Sequence, residues 1–154
     1  MLPCQPRNPA WILVVLLLVA WSAKGAAQEG SGETSLFVVD VELQSAEEFA
    51  LLLDRAEQLL IDGDAPQPDA AAVTFVLHGP VVRNLLRENY LTNKPLVDKA
   101  ASLSALGVID IKACSTWMGA NKVVEQDLQP FVGTVTYGAA EVQRLLEEED
   151  YVYF

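Results

Sequence analysis

Two residues with reactive side chains, Cys114 and His78, each stand at the end of a short apolar segment. Cys114 closes VIDIKAC and precedes STWMG, which has the character of a helix start. The thiolate is the nucleophilic form of cysteine, and N–H groups at a helix N-terminus stabilise it, with Lys112 or Lys122 as further support. Cys114 is therefore predicted to be either a reactive thiol or a small buried residue that closes a strand.

His78 ends the apolar segment AVTFVL and is the one histidine of the chain. Its ordinary pKa near neutrality suits it to moving protons, and the alternative is a ring held by a backbone carbonyl. The sequence shows no acid placed to orient His78, so a conventional catalytic triad is not predicted. One cysteine and one histidine fall short of a zinc site. GxGxxG and GxxxxGK[ST] are both missing, so we expect no metal and no cofactor.

Short apolar strands and amphipathic helices alternate along the chain, and these elements must position both residues. A capping box formed by Ser45 and Glu48 predicts the first helix start. The order β-α-β-α-α-β-α-β-α-β predicts one three-layer, flavodoxin-like α/β domain over 35–154, with a mostly parallel five-stranded sheet. The predicted strands are 35–43, 72–79, 108–114, 132–135 and 151–154. The predicted helices are 45–63, 81–90, 93–107 and 139–150, and a loop with a short helix is predicted over 115–130.

Ligands of open parallel sheets bind outside the carboxyl ends of the strands, where several polar segments are expected to meet. Asp40 or Glu42 would follow the first strand there. A pocket around Cys114 and His78 is predicted from the residues that follow the other strands, namely Gly79, Ser115, Thr116, Tyr137 and Gly138.

The N-terminus has the pattern of an export signal. Arg7 precedes a nearly unbroken apolar run over 10–21, which is short for a membrane span, and small residues follow. We predict a signal peptide over 1–27, cleaved after Ala27 with Gly25 as the second choice, and a flexible leader over 28–34, which gives a periplasmic or secreted protein. The alternative is a membrane anchor formed by 10–21. Cys4 would be removed with the signal.

Charge and cysteine count limit the partners of the mature chain. The formal net charge of −11 becomes −13 once Arg7 and Lys24 are removed with the signal. Such a charge opposes binding to nucleic acid and to anionic membranes, and no stable membrane insertion is expected after cleavage. Cys114 is then the only cysteine, so it is a free thiol or pairs with another chain.

The order of these strand ends resembles the DsrE/DsrF-like group, which includes the sulfur-relay Tus proteins. The resemblance covers 35–154 and rests on TFVLHGPVVRNLL, ASLSALGVIDIKACSTWMGANKV and LQPFVGTVTYGAAEVQRLLEEEDYVYF. It consists of a strand ending in His78-Gly79, a helix running into Leu103 to Val108, a strand ending in Cys114, and Gly138-Ala139-Ala140-Glu141-Val142. It implies a flavodoxin-like fold, assembly into trimers or hexamers, and a persulfide carried on Cys114.

Two functions follow as hypotheses. The first is an exported DsrE-like protein that carries or transfers sulfane sulfur on Cys114. His78 and the backbone amides after Cys114 would shape the pocket. It would be at most a sulfur carrier or transferase. The second is a non-enzymatic oligomeric or small-ligand-binding module, with a structural cysteine and with Trp117 and Met118 in an interface. Its partners would be copies of itself or related DsrE-like subunits.

Overall fold

The computed structural model describes residues 35–62 and 70–154. The predicted signal peptide, the alternative anchor and the predicted leader all lie outside these residues. The strands are β1 (Phe37–Val41), β2 (Val73–Leu77), β3 (Ile109–Cys114), β4 (Val132–Val135) and β5 (Val152–Tyr153). The α-helices are α1 (Ala46–Asp62), α2 (Lys94–Ala105), α3 (Ser115–Ala120) and α4 (Gly138–Glu148), and short 3-10 helices span Pro80–Leu85, Arg87–Asn89 and Glu125–Asp127.

The five described strands form one sheet in the order β4-β3-β2-β1-β5, and every neighbouring pair is parallel. The central strand β2 reads VTFVL and is buried along its whole length. A continuous apolar strand of this kind requires cover on both faces, which the helices supply. The predicted fold class is confirmed, and the sheet is wholly parallel.

The two faces of the sheet are covered unequally. The larger core lies between one face and the helices α1 and α2, and it includes Phe49, Phe75 and Ile111. The smaller core lies under α4 and includes Val76 and Val142. Alternation along β3 buries its odd-numbered residues in the larger core and directs the even-numbered ones, Cys114 among them, to the α4 face.

The predicted capping box forms at the start of α1. The Glu48 backbone N–H donates to Ser45 Oγ at 3.2 Å. The Glu48 carboxylate accepts from the Gln44 backbone N–H at 3.0 Å, one residue before the position that the motif predicts. These bonds satisfy N–H groups that a helix start otherwise leaves without partners.

The segment predicted as a helix over 81–90 consists of two 3-10 turns instead. Pro80 begins the first turn, but Leu86 has an extended backbone and separates the two. Leu86 forms an isolated antiparallel bridge with Leu128, and both side chains are buried. Pairing with a distant segment therefore interrupts what local periodicity predicts as one helix. No described helix has the length and apolar character needed to cross a membrane.

Candidate functional site

The sheet register brings Asp40, His78 and Cys114 to three adjacent strands. Leu77 of β2 pairs with Ala113 of β3, so His78 and Cys114 follow the last paired residues side by side. The His78 backbone N–H still donates to Val41 O of β1 at 2.9 Å, which continues the ladder past the end of β2. Adjacent strands lie about 4.8 Å apart. The side chains thus follow the order acid, imidazole and thiol across β1, β2 and β3.

A cavity of about 350 Å³ opens at this edge of the sheet. The structure brings five of the predicted site residues together in its wall, and adds Asp40, Trp117 and two helix alanines. Its lining is Asp40, His78, Cys114, Thr116, Trp117, Ala120, Tyr137, Gly138 and Ala139. Gly79 and Ser115, the other two predicted pocket residues, are not part of this lining.

Gly79 forms the turn after β2 and lies against Glu42 and Leu43, which follow β1. Its φ of 101° belongs to a region that residues with a Cβ rarely adopt. A Cβ at Gly79 would also stand 3.2 Å from Glu42 Cγ. Ser115 begins α3 directly after Cys114. Both residues therefore shape the chain around the cavity without facing it.

His78 has an acidic partner that the sequence did not reveal. Its Nε2 lies 2.6 Å from Asp40 Oδ1, and both side chains are partly exposed at the cavity. An ionised carboxylate only accepts hydrogen bonds, so we assign the proton of this contact to Nε2. Nδ1 is then the acceptor nitrogen of the neutral ring. The prediction that no acid orients His78 is wrong, because β1 and β2 are neighbours and place Asp40 beside it.

The Cys114 thiol lies directly under the N-terminus of α4. The Gly138 backbone N–H, at the first residue of that helix, donates to Cys114 Sγ at 3.3 Å. A Cβ at Gly138 would stand 3.2 Å from Val76 Cγ1 and 3.8 Å from Sγ, so the absence of a side chain permits this approach. Cys114 itself is only 5% exposed, and the cavity is its route to solvent.

Opposing effects set the pKa of the thiol. Burial is the largest effect and raises the pKa of Cys114, since it removes water from the thiolate. The backbone N–H groups of Trp117, Gly138 and Thr116, with the Thr116 hydroxyl, together outweigh burial and hold the pKa below its ordinary value. The hydroxyl proton is directed to Thr136 O at 3.0 Å, so we attribute the lowered pKa mainly to the backbone amides.

Lys112, one of the two lysines expected to support a thiolate, binds a carboxylate instead. Lys112 Nζ lies 2.8 Å from the Glu141 carboxylate, which Arg144 also binds through two nitrogens at 2.9 Å. These bonds lower the pKa of Glu141 to about 2. The bond from Arg144 has the largest effect, and burial of the carboxylate opposes it. The ion pair between Lys112 and Glu141 therefore joins α4 to β3 beside the cavity.

Trp117 and Met118, the residues after the α3 start, have different environments. Trp117 lines the cavity, and the guanidinium of Arg83 lies 5.7 Å from its ring centroid. Met118 is buried in the larger core. Within 35–62 and 70–154, no group of three His, Cys, Asp or Glu side chains could hold a metal ion.

Comparison with known proteins supports the fold and goes no further. No family model matches the chain, and no curated protein matches it in sequence. Among solved structures it is similar to MTH1491, a protein of unknown function from Methanobacterium thermoautotrophicum. The TM-score is 0.62 at 19% sequence identity, over 78% of this chain and 97% of that one. At this identity, the chain shares the α/β fold of that protein.

Proposed function

We propose that this protein accepts sulfane sulfur on Cys114 and holds it as a persulfide. The proposal joins the resemblance to the DsrE/DsrF-like group with the site geometry, and it includes membership of that group as an exported protein. One observation carries it, namely the hydrogen bond from Gly138 N–H to Cys114 Sγ at the wall of an open cavity. Amides directed at a sulfur favour its thiolate form, which is the form that attacks a sulfur donor.

The transfer is a thiol–persulfide exchange. The Cys114 thiolate attacks the outer sulfur of a donor R–S–SH, a new S–S bond forms, and the donor S–S bond breaks. The products are Cys114–S–SH and the thiolate RS⁻. Overall, Cys–SH and R–S–SH give Cys–S–SH and RSH, so no outside oxidant or reductant is needed.

The Asp40–His78 pair can carry the proton of this exchange. His78 Nδ1 takes the thiol proton as the thiolate forms, and Asp40 at 2.6 Å stabilises the resulting imidazolium. The imidazolium then returns the proton to the leaving thiolate RS⁻. Because the neutral leaving group is the weaker nucleophile, this protonation opposes the reverse reaction.

Intact-mass spectrometry tests the proposal. The protein is treated with a persulfide donor, and we expect a mass gain of about 32 Da, one sulfur atom. The Cys4→Ser protein, in which Cys114 is the one thiol of the sequence, should keep this gain, and adding Cys114→Ser to it should abolish the gain. Absence of the adduct in Cys4→Ser, or its survival when Cys114 is also replaced, contradicts the proposal.

Packing around the thiol favours the second candidate function, a non-enzymatic module with a structural cysteine. Cys114 is 5% exposed and closely covered by Gly138. In that case a small alkylating reagent would label Cys114 only after unfolding, whereas the sulfur carrier would be labelled while folded. Assembly into trimers or hexamers, proposed from the resemblance, is measured by light scattering, where a monomer at micromolar concentration would contradict it.

A further inference from the structure

We propose that the sulfur donor is a small organic persulfide, R–S–SH, whose R group is uncharged or cationic, and that the cavity discriminates against anionic donors. This inference rests on the proposed function. The charges and the apolar walls of the cavity around Asp40, His78 and Cys114 indicate the chemical class of the donor.

The cavity offers an anion no cationic side chain among the described residues. Asp40 contributes a carboxylate, and His78 is already bonded to it. Trp117, Ala120 and Ala139 give apolar walls. An anionic R group in this space loses water and lies near the like charge of Asp40, which is costly. An apolar group would contact the apolar walls, and a cationic group would lie near the Asp40 carboxylate.

The cations near the cavity have other partners. Lys112 and Arg144 both bind Glu141, and their charges are compensated there. Arg83 donates to Asn121 Oδ1 at 2.9 Å and lies over the Trp117 ring without lining the cavity.

The acids extend beyond the cavity itself. Glu42 directly follows the end of β1, two residues after Asp40, and lies against Gly79. The whole chain carries a formal charge of −11, so the long-range field also opposes an approaching anion.

The size of the cavity sets a limit on the donor as well. About 350 Å³ lies at the small end of the range for ligand pockets, about 300–1,000 Å³. Buried Gly138 lies beside the sulfur, and exposed Thr116 and Tyr137 also line the cavity. A donor with an R group of two or three carbons fits this space with its S–S bond at Cys114.

A matched series of donors tests the inference. The 2-hydroxyethyl, 2-aminoethyl and 2-carboxyethyl persulfides have similar size and differ in charge. The rate of adduct formation on Cys114 is measured by intact mass for each donor and divided by its rate with a small neutral thiol, which corrects for intrinsic reactivity. After this correction, we expect the carboxyethyl donor to be slower than the hydroxyethyl donor by about tenfold, or about 1.4 kcal/mol, the order of one partly screened like-charge repulsion.

Two further measurements assign the discrimination to Asp40. Asp40→Asn should reduce the tenfold ratio to about twofold, while the matched control Asp110→Asn, on β3 and outside the cavity lining, should keep it. Raising the salt concentration should narrow the wild-type ratio, because salt screens charge repulsion.

Each outcome has one meaning. If the corrected rate of the carboxyethyl donor equals or exceeds that of the hydroxyethyl donor, the proposed donor class is wrong. The adduct on Cys114 would still support the proposed function. A ratio that persists in Asp40→Asn and in high salt overturns the electrostatic origin of the discrimination. No adduct from any of the three donors refutes the proposed function itself.

Discussion

The substitution Gly138→Ala tests how α4 controls the thiol. The new Cβ would lie 3.2 Å from Val76 Cγ1, closer than an ordinary contact, and 3.8 Å from Cys114 Sγ. Val76 is fully buried at the centre of the sheet, so its side chain has little room to move away. We therefore expect the first turn of α4 to move outward by a few tenths of an ångström and to lengthen the 3.3 Å hydrogen bond from the Gly138 N–H.

The size of the effect follows from the bond that is weakened. A hydrogen bond to a charged group contributes about 1.5–3 kcal/mol, so losing about a third of it costs roughly 0.5–1 kcal/mol. The pKa of Cys114 should therefore rise, and the thiolate fraction at a pH below that pKa should fall by roughly two- to fivefold. The free energy of unfolding should change by less than about 1 kcal/mol, because the greater helix propensity of alanine offsets the close contact.

Gly119→Ala is the matched control, because an added Cβ at Gly119 meets nothing within 4 Å. The pKa is measured from the pH dependence of Cys114 alkylation, and stability from urea unfolding. We expect the control to leave the pKa unchanged and to be neutral or stabilising by up to about 1 kcal/mol. An unchanged pKa in Gly138→Ala, or equal shifts in both variants, would refute the reasoning.

Three further predictions concern stability and access to the thiol. Glu141→Gln should destabilise the protein by about 1–3 kcal/mol at neutral pH. Because the folded pKa of Glu141 is lowered to about 2, its contribution is complete above the ordinary value of 4.5 and is lost as pH falls towards 2, so urea unfolding of both proteins should converge over that range. A pH-independent difference would contradict the ion-pair origin. Phe154→Ala should cost about 1–3 kcal/mol, since the ring packs edge-on against Phe37 and Phe75 with centroids 5.5 and 6.4 Å away; a cost near zero would contradict this packing. In the folded protein iodoacetamide should label Cys114, while a polymer-linked maleimide should react far more slowly, because the sulfur opens only into a cavity of about 350 Å³; equal rates would contradict this.

Local patterns were sufficient to predict most of the fold. Continuous apolar strands such as β2 require two covered faces, and the capping box at Ser45 and Glu48 marks a helix start through its own chemistry. The segment after Pro80 was the exception, because its form depends on pairing between Leu86 and Leu128, forty-two positions away in the sequence. Periodicity contains no information about such a distant partner.

The site was harder to predict, because it depends on which strands are neighbours. Cys114 and His78 could be placed at one sheet edge from their strand ends alone. The contact between Asp40 and His78 requires β1 beside β2 and both side chains on one face. The Gly138 amide reaches the sulfur only because of the direction in which α4 follows β4. Lys112 forms its ion pair with Glu141, a distant residue in the sequence. None of these long-range relations has a local sequence signal.

The pH titration of the Cys114 thiol in the folded protein tests the central claim most directly. The rate of alkylation by iodoacetamide is followed against pH in the Cys4→Ser variant, folded and in urea. The claim of an amide-stabilised thiolate at an open cavity predicts reaction in the folded state, with a midpoint below that of the unfolded chain. A midpoint at or above the unfolded value, or a thiol that reacts only after unfolding, would contradict it.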